Sequence, residues 1–170
     1  MTDSTQKSKD THILSMLVAN KPGVLVRVAL VFARRGFNID SLVVSASINP
    51  KYSRMTITAK GDLATLDQII KNLNKLVDVL HASEHDPTHS IDHELALIKV
   101  KATPASKTAV VKHSKKYHAK IVDVTDNALI IAQSGVTEEL DEFENLMRKY
   151  GVIEMVRSGK LLMAQGKEAT

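Results

Sequence analysis

The chain has 170 residues, of which 44% are hydrophobic and 25% are charged, with a formal net charge of +4. Because it contains no cysteine, disulfide bonds, a thiolate nucleophile and cysteine-ligated zinc are excluded. No run of about 18 apolar residues occurs and the polar first ten residues lack a signal-peptide pattern, so neither a membrane span nor secretion is expected. A soluble, cytoplasmic protein of one ordinary domain or two small ones is the default expectation.

The first half begins with a strand, a helix and a second strand. The apolar run Ile13–Val18 predicts the strand, and a spacing of i, i+3, i+4 and i+7 then predicts a helix. Pro22 suits the first turn of this helix, and Gly36 suits the left-handed residue after it. The alternation of the second strand slips near Asp40–Ser41, which predicts a β-bulge. The helix residues predicted to be buried are Leu25, Val28, Ala29 and Phe32.

The rest of the first half completes a βαββαβ order. A third strand precedes a helix that Asp62 caps, or that begins with a capping box at Thr65, and a fourth strand holds Val77 and Val79. Both helices of such a unit fall on one face of an antiparallel sheet, which is the ferredoxin-like plan. The same order recurs in the second half. Its predicted elements are Leu95–Ala102, Ser106–Tyr117, Ile121–Val124, Leu129–Ala132, Thr137–Tyr150 and Val152–Val156, with a short strand at Lys160–Ala164.

The two helices of the second half carry opposite charge. The first is basic and the second begins with acidic residues. One interpretation is complementation of the helix dipoles and mutual attraction between the helices. The other is a charged face for a protein partner. The basic residues are Lys107, Lys112, Lys115 and Lys116, and the acidic residues are Glu138, Glu139, Asp141, Glu142 and Glu144.

Motifs for catalysis are missing from the sequence. No Gly-x-Gly and no Gly-x-Ser-x-Gly occurs, so we expect no catalytic residue. Histidines recur every fourth residue at positions 81, 85, 89 and 93, but Pro87 interrupts a helix there, so no metal site is expected. An RNA-recognition module shares the βαββαβ order but needs aromatic residues on its central strands, which are absent here.

The first loop is the candidate binding site. A helix start carries unpaired N–H groups that bind carboxylates, and Gly23 lets a ligand approach the backbone. Asn20 and Asn38 supply donors and acceptors, so with the helix start they could hold the carboxylate and ammonium of an amino acid. Alternatively, Asn20 simply caps the helix and Asn38 simply starts a strand. The residues that could surround an apolar ligand side chain are Val24, Leu25 and Ile39.

An ordered set of motifs resembles the regulatory (small) subunits of acetolactate synthase, also called acetohydroxyacid synthase. The resemblance covers most of the chain and is specific as a set. The motifs are Asn20-Lys21-Pro22-Gly23-Val24-Leu25, Arg35-Gly36-Phe37-Asn38-Ile39-Asp40-Ser41-Leu42, Ser53-Arg54-Met55-Thr56-Ile57, Leu73-Asn74-Lys75-Leu76-Val77-Asp78-Val79, Glu94-Leu95-Ala96-Leu97-Ile98-Lys99-Val100, Ile121-Val122-Asp123-Val124 and Arg157-Ser158-Gly159.

The resemblance implies an α+β protein of two ferredoxin-like domains, the first an ACT domain. It implies a homodimer whose ACT sheets join edge to edge and bind a branched-chain amino acid, typically valine, at that interface. The chain would activate a separate catalytic subunit, which carries thiamine diphosphate, magnesium and FAD, and would confer feedback inhibition on it. The implied effector residues are Asn20, Gly23, Val24 and Leu25 of one chain, with Asn38 and Ile39 of the other.

The expected domain limits are 1–11 for a flexible N-terminus, 12–84 for the ACT domain, 85–93 for a linker, 94–165 for the second domain and 166–170 for a tail. Two departures from the family pattern matter. Lys21 stands where an acidic residue is frequent and would add charge near the ligand, and Met163–Gly166 replaces the usual Leu-Ser-Arg-Gly ending. The alternatives are a stand-alone amino-acid sensor of the ACT type, an enzyme acting alone and, as a weaker option, an RNA-binding module. No nucleic acid or membrane partner is expected.

Overall fold

The computed structural model describes residues 11–86, 88–167 and 170. Residues 1–10 of the expected flexible N-terminus, Pro87, and residues 168 and 169 of the expected tail lie outside the described part. The chain divides into two compact units. One contains the described residues up to Asp92 together with those from Lys160 onward, and the other is His93–Gly159.

The first unit has the βαββαβ order that the sequence predicts. Its antiparallel sheet has the strand order β2-β3-β1-β4. The elements are β1 Thr11–Ala19, α1 Val24–Ala33, β2 Asn38–Ala46, β3 Tyr52–Lys60, α2 Leu63–Leu73 and β4 Val79–Glu84.

Strand register places one face of this sheet against both helices. Buried residues of α1 and α2, such as Phe32 and Ile69, pack with the inward residues of β1 and β3. The register of β2 against β3 shifts between Ile39 and Ser41, which confirms the predicted bulge. Gly36 has φ 66°, in the left-handed region expected of the residue after α1. Asp62 caps α2 by accepting from the Thr65 N–H at 2.8 Å, which confirms the first of the two predicted caps.

Three expectations for the first unit were wrong. Leu25 is 43% exposed, because Val24, Val28 and Phe32 form the buried stripe of α1. Pro22 precedes α1, which begins at Val24. Val77 is 95% exposed and lies before β4, which begins at Val79.

The second unit repeats the same architecture. Its sheet has the order β6-β7-β5-β8, and β9 also pairs with β5. Buried residues of α3 and α4, including Val110 and Phe143, pack on one face of this sheet. β5 begins at Ser90, five residues before the predicted start at Leu95. The elements are β5 Ser90–Lys101, α3 Pro104–Lys116, β6 Lys120–Val124, β7 Ala128–Gly135, α4 Thr137–Arg148 and β8 Val152–Arg157. The strand β9 Leu161–Ala164 lies among the residues from Lys160 onward that belong to the first unit.

None of the helices in the described part of the chain is both long and apolar enough to cross a membrane.

Candidate functional site

The loop between β1 and α1 exposes the start of the helix. Gly23 is the N-cap residue with φ 82°, and no side chain accepts a hydrogen bond at this cap. A Cβ atom at Gly23 would lie 3.2 Å from an Nη atom of Arg27, and the positive φ would strain any other residue. The first N–H groups of α1, which have no partner within the helix, therefore remain available to a ligand.

Asn20 does not cap this helix. Its backbone N–H donates to the Lys51 carbonyl at 2.8 Å, and its side-chain Nδ2 donates to the Pro50 carbonyl at 3.0 Å. The interpretation of Asn20 as a helix cap is therefore wrong. These two bonds tie the loop to the turn before β3 and leave the Asn20 side-chain oxygen without a protein donor among the described residues.

Asn38 and Asn20 lie at opposite ends of the sheet within one chain. Asn38 is the first residue of β2 and pairs with Lys60, at the end of β3. Ala19, next to Asn20, pairs with Tyr52, at the start of β3. At about 3.3 Å per residue, the nine residues of β3 separate these positions by roughly 26 Å. A single chain therefore does not bring the two asparagines together, although the sequence order suggested that it could.

The remaining candidate residues differ in accessibility. Leu25 is exposed on the first turn of α1 and can contact a ligand. Val24 is buried in the core and Ile39 packs partly against it, so both support the site from inside the unit. The Asn38 side chain donates to an Asp40 carboxylate oxygen at 3.1 Å and is exposed, as expected of a residue that starts a strand.

A buried carboxylate behind the loop was missed by the sequence interpretation. Asp78 is 5% exposed, and its Oδ1 lies 2.6 Å from Lys21 Nζ while its Oδ2 lies 2.5 Å from Arg27 Nη2. Its backbone carbonyl accepts from the Ala19 N–H at 2.8 Å. The hydrogen bond from Lys21, followed by that from Arg27, lowers the pKa of Asp78 below its usual value. The only sequence signal was an acid between two valines.

The position of Asp78 changes the role assigned to the charge of Lys21. The lysine stands where the family often has an acid, and its charge was expected to act near a ligand. In the structure that charge is paired with Asp78, directly behind the loop. Asp78 therefore offsets both cations that flank the helix start, and it fixes the loop to the end of the sheet.

The four regularly spaced histidines form no metal site in the described residues. No group of three or more metal-ligating side chains comes together there. His85 instead contacts the Ser15 hydroxyl at 2.5 Å through its Nε2, while His89 is exposed beside Asp86. These side chains have separate local roles.

Family comparison agrees with this architecture. Residues 14–81 match a family described as the AHAS small subunit-like ACT domain. Residues 93–166 match a family described as the small subunit of acetolactate synthase. The two matches follow each other along the chain and cover the two βαββαβ repeats.

Individual relatives match over nearly the full length. A probable acetolactate synthase small subunit from Methanothermobacter thermautotrophicus is 42% identical over 158 residues, which cover 92% of this chain and 94% of the relative. The acetolactate synthase small subunit of Mycobacterium bovis is 41% identical, covering 94% of this chain and 95% of that protein.

A solved structure shows the same fold. The crystal structure of the acetolactate synthase small subunit from Thermotoga maritima superposes with a TM-score of 0.85 at 39% sequence identity. The match covers 93% of this chain and 99% of the Thermotoga chain. The chain therefore belongs to the family of acetolactate synthase small, regulatory subunits, and its N-terminal half is an ACT domain of that family.

Proposed function

We propose that this regulatory subunit activates a separate catalytic subunit of acetolactate synthase in the cytoplasm. It also makes the activity of that catalytic subunit subject to feedback inhibition by a branched-chain amino acid, valine in particular. Residues 12–84 form the effector-binding domain and residues 94–165 the second domain. The chain supplies no catalytic group, and thiamine diphosphate, magnesium and FAD are bound by the catalytic subunit. The observation that carries the proposal is the uncapped start of α1 at Gly23 in an ACT domain.

The separation of the two asparagines supports a site shared by two chains. β2 is an edge strand of the first sheet, and such an edge can pair with a second copy. Antiparallel pairing of β2 with its copy about a two-fold axis places the start of one β2 beside the end of the other. Because the end of β2 at Ala46 pairs with Ser53, near Tyr52 and Asn20, this arrangement moves Asn38 of one chain toward Asn20 of its partner.

The proposed site has complementary groups for a zwitterion. The free N–H groups at the start of α1 receive the carboxylate, which the helix dipole also favours. The Asn20 side-chain oxygen accepts from the ammonium group, and Asn38 of the partner completes its hydrogen bonds. Leu25, exposed on α1, contacts the aliphatic side chain. This division explains why a small apolar amino acid fits better than a charged one.

Regulation then follows from linkage. The effector binds across two chains and stabilises one arrangement of the dimer, while the catalytic subunit binds the other arrangement better. A coupling free energy of about 1–3 kcal/mol between the two sites is enough for a 5- to 150-fold effect.

Reconstitution tests the activation and inhibition. The purified chain is mixed with the catalytic subunit, and acetolactate formation is measured with and without valine. We expect the chain to raise the activity and valine to lower it. Unchanged catalytic activity on addition of the chain would contradict the regulatory proposal.

Calorimetry tests the site itself. Valine, leucine and isoleucine are titrated into the chain and into Asn20→Ala and Asn38→Ala. Each variant is expected to weaken valine binding at least tenfold, because each removes a charge-assisted hydrogen bond. Asn145→Ala, at an exposed position of α4, is the matched control and is expected to bind as the unmodified chain does. Undiminished binding in both site variants would contradict this location.

A further inference from the structure

The part of the sequence that contains α3 is strongly basic. Seven lysines and no acidic residue occur between Leu95 and Val122. Within α3, Lys112, Lys115 and Lys116 are all exposed. Their spacing of i, i+3 and i+4 places them on one side of the helix, opposite the buried Val110. We call these three residues the lysine face.

The lysine face is not neutralised inside the unit. No carboxylate of the described residues lies within 4 Å of the ammonium group of Lys112, Lys115 or Lys116. The ammonium group of Lys116 lies over the ring of Tyr117, with its Nζ 5.3 Å from the ring centroid. Like charges at i, i+3 and i+4 repel and weaken a helix. The helix dipole compensates only charges in the last turn, so it does not account for Lys112.

The acidic helix α4 does not supply the missing partners. Its Glu144 lies 2.5 Å from Arg148, and its Asp141 pairs with Arg157. Glu142 accepts a hydrogen bond from the Tyr117 hydroxyl at 2.7 Å. Mutual attraction between the two helices, one of the two interpretations from the sequence, is therefore not realised as ion pairs among the described residues.

These interactions of the α4 acids also help to decide which molecule binds the lysine face. Of the five acids of α4, Glu138 and Glu139 are the two without an ion pair or hydrogen bond in the described residues. A second copy of α4 therefore offers fewer free acids than the three lysines require. The occupant has to bring its own acidic groups.

The framework beneath the lysine face is well fixed. The N-terminus of α3 has a capping box between Thr103 and Ser106. At the other end, His113 Nε2 lies 2.9 Å from the Tyr150 hydroxyl, and the Tyr117 ring packs on Phe143 with centroids 5.3 Å apart. The three lysines are thus presented on a helix held at both ends, which lowers the entropy lost when a partner binds.

The chemistry favours a protein over a nucleic acid. Single-stranded nucleic acids need free aromatic faces for base stacking, and the aromatic ring beside these lysines, Tyr117, is occupied by Phe143 and Lys116. Arginine, the usual side chain for bidentate phosphate contacts, is absent from α3. Clustered lysines without these features suit an extended acidic protein surface.

We propose that the lysine face docks an acidic surface of the acetolactate synthase catalytic subunit and steers its association with this chain. The inference rests on the proposed function, which identifies the partner as the catalytic subunit. The unpaired lysines of this chain then indicate that the docking surface of that partner is acidic. Steering of this kind raises association rates by 10- to 1000-fold and weakens as salt increases.

Association kinetics with the purified catalytic subunit test the proposal. The test variant is Lys112→Glu/Lys115→Glu/Lys116→Glu. At 50 mM salt we expect its association rate to be about tenfold or more below that of the unmodified chain, and less dependent on salt between 50 and 300 mM. The dissociation rate is expected to change less.

Two further variants separate the effect of the lysine charge from the effects of side-chain shape and of impaired folding. Replacing the same three lysines by arginine keeps the charge and is expected to preserve fast, salt-dependent association. Replacing them by glutamine removes the charge without adding acid, and covers the case in which charge reversal prevents folding. The matched control replaces three exposed basic residues outside α3, Arg34, Lys75 and Lys167, by glutamate, for the same change in net charge.

The outcomes are distinguishable. If the unmodified chain does not bind the catalytic subunit, the proposed function fails and this inference fails with it. If it binds but the glutamate and glutamine variants associate as fast as the control, this inference alone is wrong. The inference is equally overturned if the control is slowed as much as the test variant, or if the lysine face mediates self-association or nucleic-acid binding instead.

Discussion

Arg27 Nη2 lies 2.5 Å from Asp78 Oδ2, and this pair joins the first turn of α1 to the loop before β4. A cation at a helix start is unfavourable by the dipole, so Arg27 needs a counter-charge there. Asp78 supplies it from a position that is almost completely buried, and at the same time it pairs with Lys21. The ion pairs of Asp78 with Arg27 and Lys21 therefore hold the loop that exposes Gly23 in place.

Asp78→Asn is expected to lower the thermal stability at neutral pH, because it leaves Lys21 and Arg27 without their counter-charge. The pKa of Asp78 is lowered in the fold, so its contribution to stability is present above about pH 3.8 and is lost as the pH falls through the lower folded pKa. Thermal unfolding between pH 7 and pH 2 measures this effect. The variant should show less loss of stability on acidification below pH 3.8 than the unmodified chain.

The control for this prediction is Asp67→Asn. Asp67 pairs with Lys71 on the exposed surface of α2, where ion pairs contribute little. An equal fall in melting temperature for both variants would contradict the role given to Asp78.

His85 is expected to make the stability fall as the pH drops below about 6.5. Burial, followed by the positive charge of Arg54 and of His81, lowers the pKa of His85 below 6.5. As the pH falls, His85 therefore takes up a proton at a higher pH in the unfolded chain than in the folded chain. The stability that is present above pH 6.5 is lost as the pH falls toward the folded pKa of His85. Melting curves from pH 8 to pH 5 should show this loss in the unmodified chain and less of it in His85→Gln. His89→Gln, at an exposed position, should keep the full dependence.

Much of the fold could be predicted because alternation and turn residues act locally. The bulge at Asp40–Ser41 was visible as a slip of parity, and Gly36 as a left-handed residue. The phase of α1 could not be predicted, because nearly every position from Val24 to Ala33 is apolar and several stripes fit the helical period. In the structure the buried stripe is Val24, Val28 and Phe32, so Val24 is buried and Leu25 is exposed.

The candidate site was harder to predict than the fold. Asn20 precedes α1 and Asn38 follows it, and the residue types alone did not say whether one chain supplies both; only the family resemblance assigned them to two chains. Their separation depends on strand register, which places them at opposite ends of β3. Asp78 was missed for a related reason, since its partners Lys21 and Arg27 are more than 50 residues away in sequence.

Gly61→Ala is expected to destabilise the first unit by about 1–3 kcal/mol through overpacking. A Cβ atom at Gly61 would lie 2.1 Å from Cζ of Phe37, whose ring is buried at the edge of the core. Urea denaturation measures the loss. The double variant Gly61→Ala/Phe37→Leu should lose less than the sum of the two single changes, because the smaller side chain makes room for the methyl group.

Gly36→Ala provides the comparison for Gly61. No atom lies within 4 Å of a Cβ at Gly36, but its φ of 66° strains any residue with a side chain. We expect a loss of about 1 kcal/mol that does not couple to Phe37→Leu. Additive losses in the Gly61 pair would show that contact with Phe37 is not the cause there.

Arg157→Gln is expected to destabilise the second unit by about 1–3 kcal/mol, because it leaves a buried carboxylate without its cation. Arg157 donates from Nε and Nη2 to Glu94 Oε2 at 3.0 and 2.9 Å, and Glu94 is only 7% exposed. Among the described residues, Thr137 also donates to Glu94, at 2.6 Å, but its neutral hydroxyl cannot replace the charge. Adding Glu94→Gln to Arg157→Gln should restore part of the loss, since a neutral amide needs no counter-ion. Urea denaturation of the three variants checks this, and a double variant less stable than Arg157→Gln alone would show that the unpaired charge is not the main cost.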